Sequence, residues 1–323
     1  MRKERDFLGV RELPDTAYYG VETLRALENF PVSGIPERPE LIHAYIQVKK
    51  AAAFTNMDLG VLDRQIGEAI VRAGDEILEG HLADQFPVDV FQAGAGTSLH
   101  MNVNEVLANR ALEIRGRSKG DYEYINPHIH VNRSQSTNDT FPTAAHLALI
   151  ETTDRLLHAL ESLAAAFSRK GEEFCNLPKS GRTHLMDALP VTLGDEFQAY
   201  STAIARSCAD LRERRNALLE VPLGSTATGT GVTTPPGYRE RVLFHLSRIT
   251  GLPLTPARDS FDALQSRSLM ASLSGALRGL SLELVRIAND LRLMGSGPVS
   301  GLAEISLPAV QPGSSIMPGK VTR

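Results

Sequence analysis

The sequence predicts a mainly α protein in two parts. Residues 1–138 read as an irregular helical N-terminal domain, and residues 139–323 as an elongated antiparallel helical bundle. Three observations carry this. Leu and Ala are abundant, aromatics make up 6% and Trp is absent, a composition that tilts toward helix. Gly, Pro and Asn break the first third at short intervals. The remainder holds three apolar runs, each roughly 25 to 30 residues long, at the helical period.

In chain order, the stretch from Pro31 to Pro39 contains Gly34 and Pro36 and reads as a turn-rich loop. Helices are expected from Pro39 to Met57 and from Leu62 to Leu78. Breaks follow at Gly94-Ala95-Gly96 and Asn126-Pro127. The first long run goes from Phe141 to Phe167, with Pro142 near its start, where a missing N–H costs little. The second carries Leu193, Phe197, Tyr200, Ile204, Leu211 and Leu218. The third carries Leu269, Leu273, Leu277, Leu280, Leu284, Ile287, Leu291 and Met294. Each helix would be about 40 Å long and needs partners along its length, which an antiparallel bundle supplies. Gly181 to Pro190, Gly224 to Gly237 and Gly295 to Ser315 read as connections.

Charge and composition exclude several function classes. Thirty-four basic residues against 38 acidic ones leave a net charge of −4, without the basic excess of a nucleic-acid binder. There is no apolar stretch long enough to span a bilayer. The opening MRKERDFLGV is charged and lacks the apolar segment of a secretory leader, so a cytoplasmic location is expected. Cys175 and Cys208 cannot make a disulfide framework or a thiolate cage, and read as semi-buried thiols.

Four polar segments stand out from the helical background: Gly94 to Asn102, Ser134 to Asp139, Gly181 to His184 and Gly313 to Lys320. Each sets small hydroxyls or amides beside Gly, Pro or a helix start, where they and exposed backbone N–H groups can bind carboxylates. Helix capping is the plainer reading of any one segment alone. The last is not a phosphate loop: five residues separate Gly313 from Gly319, and Val321 follows Lys320 where Ser or Thr is needed. Neither Gly94-Ala95-Gly96 nor Gly229-Thr230-Gly231 completes a dinucleotide fingerprint. His128 and His130 have no third ligand near in sequence, and read as surface or hydrogen-bonded histidines rather than a metal site.

The segment GSSIMPGKV, Gly313 to Val321, resembles the signature of the fumarase/aspartase superfamily. It is joined in family order by DFLGVRELPDTAYYGVETLRALENF, GTSLHMNVNEVLANRALE, VNRSQSTNDTFPTA, GRTHLMDALPVTLGDEF and NDLRLMGSGPVSGLAEI. The likeness spans essentially the whole chain. The opening and the QSTND form look most like the aspartate ammonia-lyase branch; fumarases more often carry a second Ser where Thr137 stands.

The resemblance implies a homotetramer with each active site assembled from three subunits, no cofactor for the chemistry, and a dicarboxylate or amino-acid substrate. The implied reaction is reversible loss of ammonia from L-aspartate to give fumarate. Removing the Cβ proton puts extra negative charge on the adjacent carboxylate, so catalysis should come from preorganised donors aimed there. By resemblance Thr97, Ser136, Thr137 and Ser315 supply those donors and Ser314 is the general base. A serine is a poor base unless its anion is stabilised, so backbone N–H groups and Lys320 have to lower its pKa. Lys320 and Thr183 would hold the α-carboxylate, while Asn138 and His184 would contact the amino group. Gly313 and Gly319 would be the flexible ends of a loop closing over substrate.

The sequence departs from the family at Thr322 (usually Asn), His100 (usually Asn), Met186 (usually Gln) and Val299 (usually Arg). Ile129 interrupts a usual polar run. Family members continue beyond the signature with further bundle helices and a small C-terminal domain. By resemblance the bundle is therefore incomplete at its C-terminus, with apolar faces left to associate and the activity of this chain alone in question. The alternatives are a class II fumarase-type hydratase and a non-catalytic remnant.

Overall fold

The structure, a computed structural model, describes residues 1–317 and 320–322. Its chain divides into two compact units, Met1–Asp154 with Arg215–Met270, and Arg155–Arg214 with Ala271–Arg323. The sequence boundary at Asn138 falls in the first turn of a helix, inside the first unit.

The first unit opens with an antiparallel hairpin, β1 (Arg2–Asp6) on β2 (Gly9–Leu13), in register Arg2↔Leu13 to Asp6↔Gly9. Helix α1 (Val21–Asn29) follows, then α2 (Pro39–Asp58) and α3 (Arg64–Leu78). Pro39 opens α2 at a position that needs no N–H. The Asp63 carboxylate caps α3 by accepting from the Gln65 and Ile66 amides. Both helices lie between the breaks as expected; α3 pairs an apolar face with a polar one, whereas α2 is buried or half-buried from Glu40 to Met57.

Helix α4 (Thr97–Ile114) is different. It is buried continuously from Ser98 to Asn109 and again at Ala111 and Leu112. Surrounded on all sides, it shows no amphipathic stripe, and periodicity does not find it. Tyr45, Ile46 and Val48 of α2 join Leu99, Val103 and Leu107 of α4 in one core. Tyr238, Val242 and Leu246 from α7 (Tyr238–Thr250) belong to the same core. A two-residue parallel pair, β5 (Glu220–Val221) with β6 (Thr255–Pro256), and the short helix α8 (Ser260–Gln265) complete the unit's regular structure.

The N-terminus of α1 lacks a side-chain cap of its own. Glu105 of α4 supplies one, accepting from the amides of Gly20 (2.8 Å), Glu22 (2.8 Å) and Thr23 (3.1 Å) and from the Thr23 hydroxyl (2.6 Å). Complete burial nonetheless outweighs these bonds and lifts the Glu105 pKa to about 7. A carboxyl whose pKa is raised in the folded state adds stability below its unfolded pKa and loses it as pH rises through the folded value. Urea unfolding should therefore show stability falling between pH 5 and 8, with Glu105 contributing up to about 3 kcal/mol. Glu105→Gln should flatten that fall, and an unchanged slope would contradict the assignment.

Helix α5 (Thr137–Glu173) is longer than its apolar run at both ends. Pro142 consequently lies inside the helix rather than at its first position, and no N–H at 142 reaches back to the Asn138 carbonyl. In the second unit α5 continues beside α6 (Leu193–Ala217). The Ser201 hydroxyl donates to the Ala164 carbonyl (2.8 Å), and Phe167 packs on Phe197 and Tyr200. A Cβ on Gly194 would collide with the Gly171 carbonyl and the Cys175 backbone, so the two segments approach too closely for any other residue. The third helix, α9 (Ser268–Met294), buries Leu273, Leu280, Ile287 and Met294, seven residues apart. Leu277, Leu284 and Leu291 are half-buried between them, the seam spacing of a helical bundle. Arg286 of α9 lies 5.7 Å from the Tyr200 ring centroid, and Arg206 pairs with Glu283 (3.9 Å). Together the contacts run antiparallel, as the sequence predicts. Leu282 and Val285 of α9 remain exposed.

The connection expected from Gly181 to Pro190 is instead a hairpin, β3 (Pro178–Thr183) on β4 (Met186–Thr192). Its strands are largely exposed and lack the alternation that marks a half-buried strand. A last pair, β7 (Gln311–Pro312) with β8 (Val321–Thr322), closes the loop that carries the signature. Of the two thiols, Cys208 is buried and Cys175 exposed.

Candidate active site

Four candidate residues, Thr97, Ser136, Thr137 and Asn138, lie in the first unit at the starts of two helices. Thr97 is exposed as the first residue of α4. Ser136 precedes α5 and caps it: its hydroxyl accepts from the Asn138 amide (3.2 Å), while Asp139 accepts from the Ser136 amide (3.0 Å). The second Asp139 oxygen accepts from the amides of Gly224 (3.0 Å) and Thr226 (2.9 Å). Burial lifts the Asp139 pKa to about 6 against these bonds. The Asn138 side chain donates to the Ala227 carbonyl (2.7 Å). Asp139 and Asn138 thus pin the 224–227 loop against the start of α5.

The two helix starts converge. His100, one turn beyond Thr97, places Nδ1 2.5 Å from the Thr137 hydroxyl. A Cβ on Gly96 would fall within the Phe141 ring of α5. Convergent N-termini combine unpaired N–H groups with the positive ends of two helix dipoles, an arrangement suited to carboxylates. A buried amine lies behind them: Lys49 Nζ is 2.7 Å from His100 Nε2, 2.9 Å from Gln135 Oε1 and 3.1 Å from Asn132 Oδ1. His128 pairs with Glu22 (2.5 Å), and His130 Nδ1 accepts from the Asn126 amide (2.9 Å).

The other five candidates, Thr183, His184, Ser314, Ser315 and Lys320, lie in the second unit. Thr183 ends β3, and His184 forms the two-residue turn with Leu185. Their φ values of 52° and 63° are the left-handed pair that a type I′ turn demands. Thr183 and His184 are exposed. The hairpin stem is anchored by Glu304, which pairs with Arg182 and with Lys179 (2.8 Å); Lys179 also reaches Glu196 (3.0 Å). The two cations, Arg182 first, hold the Glu304 carboxyl at about 2.

Ser314 is half-buried, and its hydroxyl oxygen accepts from the backbone amides of Ile316 and Met317, both at 3.2 Å. The Gly313 amide donates to the Lys320 carbonyl (2.8 Å), which draws the ends of the loop together. Ser315 and Lys320 are exposed. Among the described residues, no hydrogen bond joins Thr183 or His184 to this loop. Gly319 and the side chain of Thr322 lie outside the described residues. Met186, Val299 and Ile129, three of the departures from the family pattern, are exposed.

Comparison with known proteins identifies the family. The sequence profile of a family described as Lyase matches residues 9–322. The chain belongs to the fumarase/aspartase superfamily of lyases. It is 52% identical over 320 residues to an aspartate ammonia-lyase from Bacillus subtilis, covering 99% of this chain and 67% of that one. Among solved structures, a fumarate lyase:delta crystallin from Brucella melitensis superposes with a TM-score of 0.96 at 50% identity. That match covers 99% of this chain and 70% of the other. A class II fumarase from Schistosoma mansoni gives 0.95 at 35% identity, covering 99% and 71%.

Superfamily motifs pointed to the hydroxyls, but not to Lys49, His100 as a hydrogen-bonding partner, or Asp139. A signal for Lys49 exists. It occupies the buried face of α2 in phase with Tyr45, Ala52 and Asn56, where a lysine without partners is very costly.

Proposed function

We propose that this chain catalyses reversible elimination of ammonia from L-aspartate to give fumarate, with Ser314 as the general base. The observation that carries the reading is the pair of backbone N–H bonds to the Ser314 hydroxyl oxygen. They are the donors an alkoxide needs before a serine can act as a base at ordinary pH. Ser314 takes the Cβ proton, and the electron pair moves onto the adjacent carboxylate. Thr97, Ser136, Thr137 and Ser315 donate hydrogen bonds to that carboxylate. Lys320 and Thr183 hold the α-carboxylate, while Asn138 and His184 contact the amino group that departs as ammonia. This chemistry uses no cofactor. The working assembly is a cytoplasmic homotetramer with sites drawn from three subunits. Thr137, in the position where fumarases more often have Ser, and the similarity to an aspartate ammonia-lyase favour ammonia over water.

The reverse direction tests the choice. Fumarate absorbance should fall when ammonium is supplied, with L-aspartate as the product, and stay constant without it. Malate formed from fumarate in the absence of ammonium would replace this reading with the hydratase.

A further inference from the structure

Lys49 is completely buried, yet three acceptors surround its nitrogen: His100 Nε2 (2.7 Å), Gln135 Oε1 (2.9 Å) and Asn132 Oδ1 (3.1 Å). The Gln135 amide has a fixed orientation, because its nitrogen donates to the Val131 and Arg133 carbonyls, both at 3.0 Å. The other ring nitrogen of His100 is 2.5 Å from the Thr137 hydroxyl, and the Tyr45 ring stacks on the imidazole at 5.5 Å. A continuous chain therefore runs from a buried amine through one imidazole to a hydroxyl at the start of α5.

Counting protons fixes its direction. An ammonium has three protons. Two go to the amide oxygens of Asn132 and Gln135, and the third goes to His100 Nε2, which must then be unprotonated. The ring proton sits on Nδ1 and is donated to the Thr137 oxygen. The Thr137 proton is left free to donate outward. When Lys49 loses one proton to solvent, its two remaining N–H groups stay on the amides and its lone pair faces the ring. The ring proton moves from Nδ1 to Nε2, and Nδ1 becomes the acceptor for the Thr137 proton.

We propose that Lys49 sets the tautomer of His100, and that His100 is thereby a positioning residue that turns the Thr137 hydroxyl into a donor toward the substrate carboxylate. The functional part rests on the reading of Thr137 given above. Four titratable groups face this chain. Asp139 of α5 acts on Lys49 and on Tyr45 of α2, His128 acts on His100, and Tyr238 of α7 faces Asp139. Burial pushes the Lys49 ammonium well below the usual lysine range, with Asp139 opposing, and pushes His100 well below the usual histidine range. The imidazole accordingly stays neutral, and loss of the Lys49 proton reverses the relay.

Long-range 1H–15N correlation spectra of the histidine-labelled full chain read this without turnover. An inactive preparation would therefore count against the functional reading alone. His100, assigned by its loss in His100→Gln, should be a neutral Nδ1–H tautomer at pH 7. It should lose that preference in Lys49→Met and keep it in Thr137→Val, a nearly isosteric change that leaves the lysine end intact. An Nε2–H or imidazolium signal at pH 7, or a switch in Thr137→Val, overturns the proposal. In an active preparation, His100→Phe should lower kcat/KM about tenfold and change the shape of the pH profile. A uniform loss at every pH would mark a structural role only.

Discussion

Ser314→Ala is expected to lose turnover by roughly 10²–10⁴-fold with little change in KM. The size follows from what the hydroxyl is asked to do. The Cβ proton of aspartate is weakly acidic, and removing it needs a base whose conjugate anion is already stabilised. Ser314 meets that need through the amides of Ile316 and Met317, within a loop whose ends are joined by the Gly313–Lys320 hydrogen bond. Alanine leaves in place Lys320 and the hydroxyls proposed to bind the carboxylate, so binding should survive while proton removal does not. Among the described residues the hydroxyl bonds only within its local turn, and far-ultraviolet circular dichroism should be unchanged. Turnover within a few-fold of the parent would remove Ser314 from the mechanism.

The largest stability effect is expected at Gly96, which joins the start of α4 to the start of α5. Its φ of +80° is left-handed, and a Cβ there would overlap the Phe141 ring. Gly96→Ala should therefore combine backbone strain with overpacking, a loss of about 2–4 kcal/mol. Gly116 separates the two terms. Its φ is +70°, but a Cβ there meets nothing within 4 Å, so Gly116→Ala should cost only about 1–2 kcal/mol. Urea unfolding of both variants makes the comparison, and equal losses would show that the Phe141 contact is unimportant. Because Thr97 adjoins Gly96 and Thr137 lies on the same turn as Phe141, the glycine variant should also weaken substrate binding.

Much of the helical framework was legible because its helices have two unlike faces. Helices α3, α6 and α9 each alternate apolar and polar residues at helical spacing, and the chain folds accordingly; α2, enclosed along its length, was legible from the breaks that flank it. Helix α4 was not legible, since burial on every side removes the contrast on which periodicity depends. The β3–β4 hairpin escaped for the opposite reason: exposed on both faces, its strands carry no pattern. The candidate site divides in the same way. Its small hydroxyls were legible from motif identity, whereas the Lys49–His100–Thr137 chain joins residues distant in sequence through packing alone. The signature loop was recognised by spelling and backbone N–H groups were expected at Ser314, but the backbone path was needed to identify them as those of Ile316 and Met317.

The central claim is that the chain eliminates ammonia from L-aspartate, and the direct measurement follows both products at once. L-Aspartate supplied to the purified chain should give fumarate and ammonia in equal amounts, with none from D-aspartate and no fumarate from L-malate. Fumarate from L-malate with no ammonia released from L-aspartate would contradict it.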